Sequence, residues 1–253
     1  MSLASKVFGI TGGASGMGLA TARLLASRGA RGISILDYND GNFEQARKAI
    51  AASNPSTKVH TFKADVSKSA EVSNWAKAVV AEFGAFDGAL NAAGVPQKGP
   101  EPGELAILTE TEDQWKRILA INLDGVYFSS REEFKVMKDL PGPKTIVNIA
   151  SIAADNHPGS AYAYCTSKAA VKYFTRSLAK ELTPLGIRVN GIQPGPIDTP
   201  MLKHFVPDNL DRNPLAGMET GTADEVAHTA AWLLSEDSKN VSGVHVVVGS
   251  GMP

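Results

Sequence analysis

Short apolar, β-branched runs alternate with longer amphipathic stretches along this 253-residue chain. Such alternation is typical of a parallel sheet whose helices cover both faces. Strands are predicted at residues 6–11, 32–37, 58–65, 86–91, 144–150, 187–194 and 243–248. Helices are predicted at about 16–29, 42–53, 68–83, 111–138, 160–182 and 223–235. We therefore predict an α/β fold, with about seven parallel strands in one doubly wound domain that spans residues 1–253.

The charge balance and the cysteine content restrict the class of protein. Lys and Arg number 25 against 26 Asp and Glu, which gives no electrostatic reason to expect nucleic acid or an anionic membrane as a partner. No stretch approaches the ~18 consecutive apolar residues of a membrane-spanning helix. Cys165, the single cysteine, cannot form an intramolecular disulfide. With no secretory signal at the amino terminus, we expect a cytoplasmic protein.

A glycine-rich segment, Thr11-Gly12-Gly13-Ala14-Ser15-Gly16-Met17-Gly18, directly follows the first predicted strand and precedes a predicted helix. Glycines let the backbone turn tightly and approach a pyrophosphate, which the amide groups of a helix N-terminus stabilise. By itself the segment could equally be a simple strand-to-helix turn. Its spacing also differs from the commoner G-x-G-x-x-G fingerprint. The dinucleotide contacts predicted here are Gly12, Ser15, Gly16, Met17 and Gly18.

The acidic residue Asp37 ends the second predicted strand. A carboxylate at this place can accept hydrogen bonds from the adenosine ribose hydroxyls and would repel a 2′-phosphate. Neither Ser15 nor Tyr38 offers the positive charge that NADP would favour. Asp37 could instead cap the following helix. The sequence predicts NAD as cofactor, with NADP as the alternative.

Two chemically suited residues, Tyr164 and Lys168, lie four residues apart on one face of the predicted helix 160–182. A free tyrosine has a pKa of ~10. A neighbouring lysine and the positive nicotinamide ring would favour the phenolate and lower that pKa. Tyr164 could then exchange a proton with a carbonyl or an alcohol during hydride transfer. Such a pair also occurs by chance on helices. Here, however, Ser151 ends the fifth predicted strand. The carboxyl ends of parallel strands line one crevice, so Ser151 and the pair would converge there.

These residues, in this order, resemble the short-chain dehydrogenase/reductase family, whose fold is Rossmann-like, across essentially the whole chain. The matching motifs are the glycine-rich segment, Asn91-Ala92-Ala93-Gly94, Asn122, Ser151 with Tyr164-x-x-x-Lys168, and the segment that begins Pro194-Gly195. The resemblance implies that Ser151 orients the substrate oxygen and that Tyr164 is the general acid/base. It implies that Lys168 binds the nicotinamide ribose and tunes Tyr164.

Further roles follow from the same resemblance. Asn122 would hold a water that links Lys168 to solvent, although an asparagine inside a helix can simply bend it. The other implied cofactor contacts are Asp65 and Val66 beside the adenine, Asn91 and Gly94 on the floor of the site, and Pro194, Gly195, Ile197 and Thr199 near the nicotinamide. Tyr162 could compete as the acid, but Thr166, four residues on, offers no charge. Cys165 is interpreted as a packed side chain rather than a nucleophile.

The segment 195–221 contains four prolines and no clear periodicity, which is typical of a substrate lid or a disordered loop. Its apolar side chains are Met201, Leu202, Phe205, Val206, Leu210 and Leu215. They favour a moderately hydrophobic carbonyl or alcohol substrate, or they simply pack the segment onto the body. His157 and Tyr162 could border the pocket. No histidine has metal-ligand spacing, and we expect no metal.

We predict an NAD(H)-dependent oxidoreductase that interconverts a secondary alcohol and a ketone. The alternatives are a non-catalytic NAD-binding sensor or scaffold, and a dehydratase or epimerase on the same fold. The resemblance also implies a homo-oligomer, either a tetramer or a dimer, through the helices 111–138 and 160–182. Candidate contacts, which could equally face the core, are Val126, Phe134, Ala169 and Tyr173.

Overall fold

The computed structural model describes residues 3–100, 103–156, 160–205 and 219–249. Within them the sheet strands are β1 (Val7–Thr11), β2 (Gly32–Asp37), β3 (Lys58–Lys63), β4 (Gly88–Asn91), β5 (Lys144–Ile149) and β6 (Ile187–Pro194). Two further short strands, β7 (Ile197–Asp198) and β8 (Gly221–Thr222), pair with each other, and β9 (His245–Val248) completes the main sheet. The helices are α1 (Gly16–Ser27), α2 (Phe43–Ser53), α3 (Ser69–Phe83), α4 (Ala106–Thr109), α5 (Glu112–Leu119), α6 (Gly125–Met137), α7 (Tyr162–Leu182), α8 (Pro200–Phe205) and α9 (Ala223–Leu233).

The described residues form a seven-stranded sheet in the order β3-β2-β1-β4-β5-β6-β9, with every pair parallel. The chain order reverses between β1 and β4, which is the topological switch point where doubly wound sheets bind ligands. All residues of β1, β4 and β5 are buried, as expected for strands covered on both faces. The predicted Rossmann-like α/β fold is confirmed.

Alternate side chains of each strand enter two apolar layers. On one face Phe8 and Ile10 of β1 pack in a cluster with residues of α1, α2 and α9. On the other face Val7 packs with Trp75 of α3 and with residues at the ends of α6 and α7. The two layers hold α1 and α7 on opposite faces of the sheet. Residues of both helices can therefore reach the edge of the sheet where the strands end.

Several element boundaries differ from the predictions. The strand predicted at 58–65 ends at Lys63, because Asp65 leaves the ladder to accept hydrogen bonds from the backbone N–H and hydroxyl of Ser67. The strand predicted at 86–91 is hydrogen-bonded as a strand only from Gly88. The last helix, α9, begins with a capping box, since Thr222 and Glu225 exchange both bonds, and its start agrees with the predicted one.

Three features were not predicted. The helix predicted at 111–138 is interrupted by a π-helical turn, Ala120–Asp124, between α5 and α6. The short helix α4 precedes it. The segment 195–221, in which no regular element was predicted, contains β7, α8 and β8. Residues 206–218 of this segment lie outside the described residues, and so does His157 of the chain before α7.

Candidate functional site

The glycine-rich segment forms the turn between β1 and the N-terminus of α1. Gly12 has φ +66°, and a Cβ there would lie 2.9 Å from the backbone of Ala93. At Gly18 a Cβ would lie 2.2 Å from the carbonyl oxygen of Gly12. Any larger residue at either position would therefore force the turn open. The turn presents the N-terminal end of a helix to the crevice above β1, an environment suited to an anion.

The carboxylate of Asp37 braces this turn from the end of β2. Its Oδ2 accepts a hydrogen bond from the backbone N–H of Ala14 at 3.1 Å, and its Oδ1 accepts one from the N–H of Asn39 at 3.0 Å. The next helical turn is capped by Asn39, whose side chain accepts from the N–H of Gly41. The alternative interpretation of Asp37 as that cap is therefore wrong. The half-buried carboxylate faces a cavity.

This cavity, with a volume of about 440 Å³, lies over the carboxyl ends of β1, β2 and β4. Of the predicted cofactor residues, its walls include Gly12, Ser15, Gly16, Met17, Gly18, Asp37, Asp65, Val66, Gly94 and Thr199. These predicted cofactor residues thus converge at one crevice, although their positions range from 12 to 199 in the chain.

The walls also contain residues that the sequence reasoning missed, among them Tyr38, Ser67, Arg117, Ile121 and Met201. Arg117 places a cation at the cavity, from α5. Arg117 and Ile121 are four residues apart and so share one helix face, but helical periodicity counted back from Asn122 indicates neither of them. Tyr38, 74% exposed, directly follows Asp37.

Other predicted cofactor residues are not part of these walls. The side chain of Asn91 points into the core, where its Nδ2 donates to Asn148 Oδ1 at 3.0 Å and to Glu133 Oε2 at 3.1 Å. The prediction that Asn91 lines the floor of the cofactor site is wrong for its side chain, because the amide is buried and bonded to residues of α6 and β5. Ile197 is buried in the small sheet, opposite Gly221. Pro194 and Gly195 form the end of β6 and the residue after it.

The side chains of Ser151, Tyr164 and Lys168 lie together beside this cavity. Ser151 lies close enough to the phenol of Tyr164 to lower its pKa. Lys168 Nζ donates to the carbonyl oxygen of Ile149 at 3.0 Å and lies 5.8 Å from the centroid of the Tyr164 ring. Lys168 Nζ is also 3.8 Å from the position of a Cβ at Gly94, a wall residue.

Burial dominates the electrostatics of this group. Burial raises the pKa of Tyr164 above its ordinary value, and Ser151 opposes that increase. Burial also lowers the pKa of Lys168 to about 8. The expectation that Lys168 would lower the pKa of the phenol is therefore not met by the protein chain alone. The site holds a neutral phenol next to a lysine that can change its charge near neutral pH.

Asn122, completely buried, lies in the π-helical turn. Its Oδ1 accepts from the backbone N–H of Val95 at 2.8 Å, and its Nδ2 donates to the carbonyl oxygen of Val95 at 3.0 Å. Both polar groups of its amide are thus occupied by one residue. The role of Asn122 in holding a water between Lys168 and solvent stays a prediction. Turns of this kind often mark functional positions in helices.

Neither a metal centre nor a membrane span is found among the described residues. No group of three or more His, Cys, Asp or Glu side chains in those ranges is arranged to hold a metal ion. Over the same ranges no helix is both long and apolar enough to cross a bilayer.

Comparison with known proteins agrees with this site. The family model described as Enoyl-(Acyl carrier protein) reductase matches residues 12–253. Chanoclavine-I dehydrogenase of Claviceps purpurea (strain 20.1) is 46% identical over 259 residues, covering 100% of this chain and 99% of the relative. Chanoclavine-I dehydrogenase of Aspergillus fumigatus is 43% identical with the same coverage.

Two solved structures are also close. Levodione reductase superposes with a TM-score of 0.91 at 32% identity, covering 98% of both chains. The 3-ketoacyl-(acyl-carrier-protein) reductase of Brucella melitensis, solved in complex with NADH, has a TM-score of 0.85 at 29% identity and covers 99% of both chains. The chain belongs to the short-chain dehydrogenase/reductase family. It is an oxidoreductase that interconverts alcohol and carbonyl groups of a small-molecule substrate.

Proposed function

We propose that the protein is an NAD(H)-dependent dehydrogenase in which Tyr164 is the general acid/base. The observation that supports this most directly is the contact of the Tyr164 phenol with Ser151, with the amino group of Lys168 beside the same ring. A pure binding protein would have no use for a hydroxyl, a phenol and an ammonium group gathered at the edge of a nucleotide cavity.

The chain's own residues fit a dinucleotide. The turn at Gly12 and Gly18 leaves no room for a Cβ, so the backbone can approach a pyrophosphate at the N-terminus of α1. Asp37 would accept bonds from the adenosine ribose, which favours NAD over NADP. The adenine would lie by Asp65 and Val66, and the nicotinamide end would be held by the segment 194–199, by Gly94 and by the backbone near Asn91. When bound, the nicotinamide accepts or supplies the hydride.

The proton follows a short path. In the direction of reduction, the Tyr164 Oη–H donates its proton to the carbonyl oxygen, while the Ser151 hydroxyl donates a hydrogen bond to the same oxygen. The phenolate that remains is stabilised by Lys168 in its ammonium form, which favours the charged state of its neighbour. Asn122, the remaining member of the predicted catalytic set, would hold the backbone of Val95 in the cavity wall. In oxidation the same steps run in reverse.

The substrate is proposed to be a moderately hydrophobic alcohol. The relatives are named for chanoclavine-I, which makes chanoclavine-I the first compound to test. Met201 and Pro200 give the cavity an apolar wall next to Thr199. The segment before Glu110 also carries exposed apolar side chains, namely Leu105, Ile107 and Leu108. A cytoplasmic location and a homo-oligomeric state, tetramer or dimer, remain predictions of the sequence.

The decisive measurement follows NADH absorbance with chanoclavine-I and a panel of alcohols and ketones. In Tyr164→Phe we expect turnover to fall by about 10²-fold to 10⁴-fold, because the proton donor is lost. The matched control is Tyr162→Phe, the same substitution two residues earlier on a side chain that is 36% exposed, which should stay within about 2-fold of wild type.

The alternatives give different results. NADH binding without Tyr164-dependent turnover of any compound would favour a sensor or scaffold. Product formation without net change in NADH absorbance would favour a dehydratase or an epimerase.

A further inference from the structure

The catalytic helix α7 begins without a cap of its own. The residue before it, Ala161, has no side-chain group that could accept a hydrogen bond, and the first turn contains no acidic residue. The first N–H groups of any helix have no partner inside the helix and must be satisfied from outside. In α7 this concerns Ala163 and Tyr164, the second and third residues of the helix.

Two side chains from distant parts of the chain supply the missing acceptors. Gln97 Oε1 accepts from the backbone N–H of Tyr164 at 2.8 Å, and Glu110 Oε1 accepts from the N–H of Ala163 at 3.1 Å. The two side chains are also bonded to each other, since Gln97 Nε2 donates to Glu110 Oε2 at 2.5 Å. Gln97 is 2% exposed, so the bonds to it do not compete with bulk water.

The same chain segment is anchored at its other end. Two residues before Gln97, the backbone of Val95 is bonded in both directions to the side chain of Asn122. The residues from 95 to 97 therefore connect the π-helical turn to the first turn of α7. This connection joins Asn122 to Tyr164, two members of the proposed catalytic set, through a three-residue stretch of backbone with a hydrogen-bonded contact at each end.

We propose that Gln97 and Glu110 are positioning residues that cap α7 and thereby hold the phenol of Tyr164 against Ser151. Their effect on catalysis rests on the proposed role of Tyr164 as the acid/base. The carboxylate of Glu110 also lies at the positive end of the α7 dipole, where a negative charge is stabilising. Without the pair, two backbone donors at the start of the catalytic helix lose their acceptors, and Tyr164 is carried by a looser turn.

The pair allows an exchange experiment. Gln97→Glu alone places two carboxylates against each other, and Glu110→Gln alone leaves an amide with a donor in the wrong place. Combined, the two substitutions restore all three bonds with the donor and the acceptor of the linking bond exchanged. We expect each single variant to lower kcat by about 10-fold to 100-fold with KM for NADH nearly unchanged, and the double variant to recover to within about 3-fold of wild type.

The matched controls are Gln114→Glu, Glu112→Gln and their combination. These are the same substitutions on α5, where the side chains bond to Lys98 and Lys116 instead of α7. They should leave kcat within about 2-fold of wild type. A double variant at 97 and 110 that is no better than the single variants would overturn the proposed pairing.

Amide hydrogen exchange of the peptide 161–168 tests the cap without any substrate. We expect exchange to accelerate in each single variant and to return to the wild-type rate in the double variant. Unchanged exchange in the single variants would refute the cap. Faster exchange with unchanged kcat would refute the positioning role. If wild type turned over no substrate, the proposed function would fail, while the exchange rates would still decide whether the pair caps α7.

Discussion

Asp37 has two effects on the cavity at once. Its carboxylate holds the backbone N–H of Ala14, and so shapes the glycine-rich turn. The same negative charge faces the place where an adenosine ribose would lie. A residue that we propose selects the cofactor is thus also part of the turn that would bind it. Exchanging its charge therefore needs a substitution that keeps an acceptor for Ala14.

We expect Asp37→Asn to raise the ratio of kcat/KM for NADPH to that for NADH by about 10-fold, which corresponds to ~1.4 kcal/mol of removed repulsion against the 2′-phosphate. The amide retains one oxygen for the bond from Ala14. Initial rates with both cofactors measure the ratio. The control is Asp40→Asn, which removes an exposed carboxylate that pairs with Lys63. An unchanged ratio in Asp37→Asn would show that the ribose contact lies elsewhere.

The sequence showed which side chains form the site, but not what surrounds them. The spacing of Ser151, Tyr164 and Lys168 predicted that they meet, because strand ends and helix faces follow simple geometry. The pKa of Tyr164 could not be predicted, because its largest cause is burial by the surrounding chain. Gln97 and Glu110 could not be found either, since their partners lie 67 and 53 residues away.

A buried polar cluster joins helix α6 to strands β4 and β5. Glu133 of α6 accepts from Asn91, and Asn91 is bonded to Asn148. Burial raises the pKa of Glu133 to about 8, and the bond from Asn91 opposes that increase only in part. Within the described residues, Glu133 Oε1 and Asn91 Oδ1 have no hydrogen-bond partner. A neutral carboxyl adds a donor to this cluster.

This cluster predicts a pH dependence of stability. The pKa of Glu133 is higher in the folded chain than its ordinary 4.5, so the stability that its proton contributes is complete below about pH 4.5 and is lost as pH rises through about 8. We expect the free energy of unfolding of wild type, relative to Glu133→Gln, to fall by roughly 3 kcal/mol between pH 5 and pH 8. Urea unfolding at several pH values measures this difference.

Glu132→Gln on the same helix is the control for this pH dependence. The pKa of Glu132 is lowered overall, although burial, its largest single influence, acts in the opposite direction; hydrogen bonds with Lys135, Ser73 and Arg131 lower it. Its contribution is present above its ordinary pKa, so the difference between this variant and wild type should stay flat from pH 5 to pH 8. A flat difference for Glu133→Gln as well would show that Glu133 is ionised in the folded protein.

Elements differ in how far the sequence could predict them. The main strands and long helices follow from periodicity, and all seven strands of the sheet were found. The π-helical turn was not, because it depends on the bonds between Asn122 and Val95. The burial of Glu132 and Glu133 was not predicted, since an Arg-Glu-Glu run resembles a solvated helix face, whereas Glu132 bonds Ser73 of α3 and Glu133 bonds Asn91 of β4.

The exposed face of α7 is the candidate interface between copies of this chain. Tyr173 is 76% exposed and Ala169 is exposed on the same helix, whereas Val126 is 3% exposed and belongs to the core. Nearby, the rings of Tyr127 and Phe174 lie 5.8 Å apart and provide further aromatic surface. Large apolar side chains held in solvent are stabilised when a second copy covers them.

We expect Tyr173→Asp to shift the protein from an oligomer to a smaller species, with a dissociation constant raised by about 10-fold or more, because a charge would be buried at the contact. Light scattering coupled to size exclusion measures the mass. The control is Tyr38→Asp, which places the same charge on a side chain of matching exposure, 74%, at the cavity. A wild-type monomer, or an unchanged mass in Tyr173→Asp, would contradict the interface.

The last strand, β9, sets an order of events during synthesis. It pairs with β6, and the N–H of Gly195 donates to the carbonyl oxygen of Val248 at 2.9 Å. A Cβ at Gly195 would also lie 3.1 Å from Gly249 Cα. The backbone that leads to Ile197 and Thr199 is therefore held in part by β9, the last strand of the sheet in chain order. The glycine-rich turn between β1 and α1 uses residues that are made early, whereas the segment after β6 gains this support only when β9 has been made.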